Sequence, residues 1–225
     1  MKRLRMLQVV VVLFLNWWTL PLARAQLYAG AVGGVATLSG DARSLLNPGS
    51  TAFSSYDPNN GGAVELFVGR HFSDYFAVQG NYIWNSNQLT LTSAAFNSGT
   101  QQGYQETRQS SQQSVIGDLL VYFRNRDSRL RPYLSVGTGL VHFASSQEEI
   151  KRLLGSPTLP PQRFSTKMIA LHVPVGIDVR LRKGWAFRYT FSETLSKNPI
   201  SDRLSPLEQH RLMNFQNLFG FVKRF

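Results

Sequence analysis

Charged residues placed every second position among apolar ones are the first sign of chemistry in this chain. Glu65 sits between Val64 and Leu66, Asp118 between Gly117 and Leu119, Asp178 between Ile177 and Val179. His172, Arg180 and Arg188 lie in comparable alternating runs. In such a run, successive side chains point to opposite faces of a strand. These six residues therefore share faces that oppose the apolar ones. Acids and bases buried together form ion pairs and hydrogen-bonded networks, because an unpaired charge in a low-dielectric interior is costly. Asp178 and Arg188 stand symmetrically about Arg182-Lys183-Gly184, so neighbouring antiparallel strands joined by that turn bring them side by side. The expectation is a satisfied charge network. An Arg188→Ala change is then expected to destabilise the fold without altering its location.

Other candidate chemistry is weaker. His71-Phe72-Ser73 has the spacing of a base next to a nucleophile, but it falls on an expected turn. His210 precedes Arg211 and Leu212 with no serine in reach. The four histidines (His71, His142, His172, His210) show no metal-ligand spacing, and there is no cysteine. Ala29 to Gly34 is glycine-rich, but no Lys-Ser/Thr follows as a phosphate loop requires. No catalytic residue, metal or cofactor is expected.

The elements that position the charges are strands. Period-2 alternation recurs at about 27–40, 61–71, 75–91, 111–124, 131–145, 166–181, 185–195 and 212–225. In the sixth, Ile169, Leu171, Val173, Val175, Ile177 and Val179 form one face, and Pro174 on the other predicts a bulge. In the last, Phe215, Phe219, Phe221 and Phe225 share a face that Asn217 and Lys223 interrupt. Short turns follow the second, fourth and sixth strands. Long polar segments follow the odd ones: 41–60, 92–110, 146–165 and 196–211. Within them, Glu148 to Leu154 reads as a short helix stopped by Pro157, Pro160 and Pro161.

Lys2, Arg3 and Arg5, an apolar run and Ala23-Arg24-Ala25 make a secretory signal peptide, so residues 1–25 are expected to be cleaved and 26–225 to form one domain. Removing Lys2, Arg3, Arg5 and Arg24 lowers the net charge of +11 by four. For an exported chain, the remaining excess points to anionic lipid headgroups and lipopolysaccharide phosphates, and away from nucleic acid.

An alternating sheet that leaves the cytoplasm has two solutions: a barrel with its apolar face in lipid, or a soluble barrel with that face around a ligand. Aromatics near strand ends (Tyr82, Trp84, Phe123, Trp185, Phe187), opposed charges on the polar faces and the lack of cysteine favour lipid. The fold class expected is all-β: an eight-stranded antiparallel up-and-down transmembrane β-barrel, monomeric, with turns in the periplasm and loops outside. Eight strands leave a lumen filled by side chains rather than an open pore.

Arg131-Pro132-Tyr133-Leu134-Ser135-Val136-Gly137-Thr138-Gly139, together with Gly176 to Leu181 running into Ala186 to Tyr189, resembles the small bacterial outer-membrane β-barrel family of OmpA-, OmpX- and OmpW-like proteins. The resemblance implies the cell outer membrane. It also implies that Phe221 and Phe225 act as the signal read by the barrel-assembly machinery, although Lys223 departs from the usual apolar residue there. Its members do different things: the role expected here is structural or adhesive through four loops. The alternatives are a narrow conduit for small apolar molecules, as in OmpW-like barrels, or modification of lipid A. The lipid A deacylases use a His-x-Ser arrangement at the opposite end of the barrel from His71 and Ser73.

Overall fold

The computed structural model describes residues 26–39, 42–45, 51–97, 100–157, 159–199 and 211–225. The expected signal peptide and His210 lie outside them. The strands are β1 (Gln26–Ser39), β2 (Ala42–Leu45), β3 (Thr51–Pro58), β4 (Gly61–His71), β5 (Phe76–Asn97), β6 (Thr100–Tyr122), β7 (Leu130–Leu154), β8 (Arg163–Arg180), β9 (Trp185–Lys197) and β10 (Arg211–Arg224).

Eight of these close a ring. β1 pairs with β4, and pairing continues through β5, β6, β7, β8, β9 and β10, all antiparallel. β10 then returns to β1 in register from Tyr28↔Arg224 to Ser39↔Met213. Closure gives every wall strand a neighbour on both sides, which is what lipid demands of a sheet that crosses it. At the turn end, the Arg224 amide donates to Gly184 O and the Phe225 amide to Leu27 O, both at 2.9 Å.

Alternation sorts the residues as the pattern predicts, with the apolar side outward. Val64, Leu66 and Val68 of β4 are exposed, as are Val115 and Leu119 of β6 and Ile169, Leu171 and Val175 of β8. Phe221 and Phe225 are exposed on the same outer surface. On β5 the outward series runs Phe76, Val78, Gly80, Tyr82, Trp84 and then turns polar at Ser86, Gln88, Thr90 and Thr92. That switch marks the upper edge of the hydrocarbon band.

Three sequence expectations are corrected. β5 and β6 do not stop near 91 and 111; they pair from Phe76↔Val121 up to Asn97↔Thr100. At ~3.4 Å per residue, the 22-residue β5 is roughly 75 Å long, far more than a tilted crossing needs. The segment 92–110 is thus a strand hairpin that projects beyond the band, and β3 and β2 widen it. Glu148 to Leu154 is not a helix but the end of β7, paired with β6. A backbone partner already in place outweighs helix propensity over so short a run.

The third correction concerns Pro174. β7 and β8 pair from Leu130↔Val179 to Leu134↔Val175 and resume at Gly137↔His172 in the same register. The proline interrupts the ladder, having no N–H to give, without adding a residue. Register shifts occur instead between β6 and β7, at Gly103/Tyr104 and Thr107/Arg108.

Candidate functional site: the charged lumen

Inside the ring polar residues are interleaved with two apolar clusters. Tyr28, Phe67, Leu120, Tyr122, Tyr133 and Val222 belong to the cluster towards the turns. Leu38, Leu89, Leu91, Phe143 and Leu212, with Phe164 and Met168 against them, form the cluster towards the loops.

Arg188, set among the rings of the first cluster, is the hub of the polar network. Asp178 and Arg188 are register partners on β8 and β9. Arg188 Nε donates to Asp178 Oδ1 at 2.6 Å and Nη2 to Asp178 Oδ2 at 3.0 Å, a two-point fork. Its remaining donors reach across the lumen to Gln79 Oε1 at 2.8 Å and Tyr122 Oη at 3.0 Å. The guanidinium also lies over the rings of Phe67 and Tyr133, at 4.6 and 4.8 Å. Tyr28 Oη donates to Gln79 Oε1 at 3.0 Å. Gln79 passes a bond to Asn81 at 2.6 Å, and Asn81 to Asp118 Oδ2 at 2.8 Å. Asp118 faces His172 Nδ1 at 3.0 Å. One connected network thus links five strands.

Glycines make the long contacts fit. Asp118, Gly137 and His172 are register partners in a row across β6, β7 and β8. A Cβ on Gly137 would overlap the Asp118 carboxylate, so the bare backbone is what lets Asp118 reach a strand two places away. Gly176 repeats the device between Tyr133 and Thr190, whose hydroxyls are 2.7 Å apart across it.

Of the six residues singled out from the sequence, the structure brings Asp118, His172, Asp178 and Arg188 into this network. Glu65 is buried on the same inner surface. Arg180 is a correction: it is exposed at the last position of β8, where its guanidinium donates to Asp127 O in the neighbouring turn. The parity was right, but at the rim an inward position opens to solvent and a long side chain extends to it.

Another buried ion pair escaped sequence reasoning. Arg108 and Glu106, both fully buried, meet at 3.1 Å in the projecting part of β6. Arg108 also donates to Ser145 Oγ at 3.1 Å and to the carbonyls of Pro161 and Gln162 at 2.9 and 3.2 Å. Both faces of this stretch are polar (Gln105, Thr107 and Gln109 alternate with Glu106, Arg108 and Ser110), so hydrophobic periodicity gives no cue. His71 and Ser73 do not cooperate: His71 stacks between Tyr28 and Tyr122 inside the lumen, at 4.9 and 5.2 Å, while Ser73 Oγ accepts the Tyr75 and Phe76 amides.

A closed antiparallel ring with an apolar outer surface and charges paired inside defines an integral β-barrel membrane protein. The chain belongs to the outer membrane protein beta-barrel domain family, whose model matches residues 19–217, and it resides in the outer membrane. Its structure is similar to that of Neisserial surface protein A, with TM-score 0.53 and 13% identity over 89% of this chain and 99% of that one. Ail, the attachment invasion locus protein of Yersinia pestis, gives TM-score 0.46 at 12% identity, covering 89% and 97%. OprG from Pseudomonas aeruginosa gives 0.44 at 13%, covering 89% and 95%. No curated protein matches the sequence.

Proposed function

We propose that this barrel is a rigid outer-membrane scaffold whose work is surface interaction through its loop end. The observation that carries this reading is the contrast between a filled interior and an overbuilt exterior. The lumen is crossed by the Arg188–Asp178 and Asp118–His172 pairs and packed with tyrosines, whereas β5, β6 and β7 continue well past the apolar band. A membrane anchor alone does not need that projection. A rigid sheet carrying loops is where recognition commonly resides.

A conduit for small apolar molecules would require an apolar passage, and the charged network in the lumen opposes one. A lipid A-modifying role would require a nucleophile and a base together at the loop end. The lipid surroundings include lipopolysaccharide. Phe221 and Phe225, exposed on the outer wall, serve as the signal for the barrel-assembly machinery, and the barrel works as a monomer.

The test is a shortened barrel in which Ser86 and Ser111 are joined by a two-residue turn, displayed on a Gram-negative strain that lacks adhesins. Surface display and the heat-induced shift in gel mobility should persist. Attachment to immobilised matrix proteins, glycosaminoglycans and neighbouring cells should fall at least tenfold. Equal attachment by the full and shortened barrels, or none by either, would sink the surface-interaction reading. Efflux of a small apolar dye from vesicles carrying the full barrel would favour the conduit.

A further inference from the structure

We propose that the turn end of the barrel holds a phosphate group, bound by Arg131 and Arg224 with Arg126 beside them. Arg131 is fully buried at the start of β7 and is the register partner of Asp178. Both Asp178 oxygens, however, are taken by Arg188. Arg131 is left with one acceptor, Asp74 O at 2.8 Å, and with the Tyr122 ring beneath it at 3.9 Å. Its Nε and Nη1 have no acceptor. Arg224, on β10, is in a similar state: Nη2 has no hydrogen-bond acceptor, and Asp178 Oδ2 stands 3.7 Å away.

Arg224 lines a cavity of about 400 Å³ together with Gln26, Asp74, Arg126, Asp127, Arg180 and Gly184, and Arg131 stands behind it, bonded to Asp74 O. The Asp74 carboxylate is turned onto Arg126 at 3.1 Å, and Arg180 is occupied by Asp127 O. Arg126, Arg180 and Arg224 line the cavity with Asp74 and Asp127, while Arg131 and the Arg188–Asp178 pair stand behind it. The end of the lumen therefore carries surplus positive charge and buried N–H groups that the protein itself leaves unmatched. Leaving a charged donor buried without an acceptor is costly. An anion with several acceptor oxygens answers both the charge and the donors, and guanidinium groups converging from β7 and β10 suit a phosphate. The short turns face the periplasm, so two sources are in reach: free phosphate there, or the headgroup phosphate of an inner-leaflet lipid.

The test uses the chain folded in an uncharged, phosphate-free detergent. The midpoint temperature of the gel-mobility shift is measured with inorganic phosphate, with sodium chloride at equal ionic strength, with a short-chain phosphatidylglycerol, and with a phosphate-free monoacylglycerol. Ligand binding to the folded state raises the midpoint in a concentration-dependent way. A rise of several degrees with inorganic phosphate beyond the chloride control supports the site and assigns free phosphate. A rise with phosphatidylglycerol alone supports the site and assigns a headgroup. Arg131→Gln should abolish the increment. Arg224→Gln, at a less buried position, should reduce it at least threefold and serves if Arg131→Gln does not fold. Arg163→Gln, at the loop end, should leave it unchanged. If phosphate and phosphatidylglycerol do no more than their controls, or if Arg224→Gln keeps the full increment, the unmatched N–H groups are met by water and the proposal fails.

Discussion

Two of the buried arginine–carboxylate pairs, Arg188–Asp178 and Arg108–Glu106, hold different things together. Arg188–Asp178 joins two wall strands and extends by hydrogen bonds to β5 and β6, so it ties the ring across its diameter. Arg108–Glu106 is a pair two residues apart on a single strand, so the salt bridge itself joins nothing. Its structural work comes from the other arm of Arg108, which grips the Pro161 and Gln162 carbonyls and pins the segment entering β8. The first pair is therefore a member of the wall, the second a latch outside it.

That distinction can be broken by measurement. Arg188→Ala strands Asp178 in the lumen and should cost about 3–5 kcal/mol, the usual penalty for removing one partner of a buried pair. It should be read as a lower urea midpoint for loss of the heat-shifting band, with the protein still in the outer-membrane fraction. An unchanged midpoint would remove Arg188 from the centre of the network. Gly137→Val should cost about 1–3 kcal/mol by overpacking and should also separate Asp118 from His172. Histidine NMR shifts that match the parent would contradict the spacer role of Gly137. Tyr133→Phe removes only the bond to Thr190 and should cost about 1 kcal/mol on the same midpoint. Arg108→Ala strands Glu106 only in the projecting hairpin, so it should lower the midpoint less than Arg188→Ala does, yet speed proteolytic cutting within 155–162 several-fold on intact cells. A midpoint loss as large as that of Arg188→Ala would mean that the latch is part of the wall after all.

The sequence made the wall legible and the extensions not. For β4 the expected and observed limits coincide, because Val64, Leu66 and Val68 alternate cleanly with Ala63, Glu65 and Phe67. Lipid imposes an apolar outer face on a crossing segment, and in β4 Glu65 supplies the contrast. Beyond the band the outer face of β5 and both faces of β6 are polar, and a strand there looks like a loop. The Asp178–Arg188 pairing could be read because a short turn fixes the register of its hairpin. Asp118–His172 could not, since it spans an intervening strand and depends on Gly137, whose contribution is an absent side chain. Arg180 shows the limit of parity: the same face means lumen in mid-strand and solvent at the rim.

The interruption at Pro174 means that the wall is not equally strong all the way round. Elsewhere the ring behaves like a zipper with every tooth engaged. Between β7 and β8 the teeth opposite Val173 and Pro174 are missing, and Gly137, Gly139 and Gly176 leave little side-chain mass on either side. Under a lateral pull, or in the slow breathing that lets backbone amides exchange with deuterium, this seam should part first. A barrel that opens at one chosen joint keeps its remaining seven intact, and can close again without searching for its register.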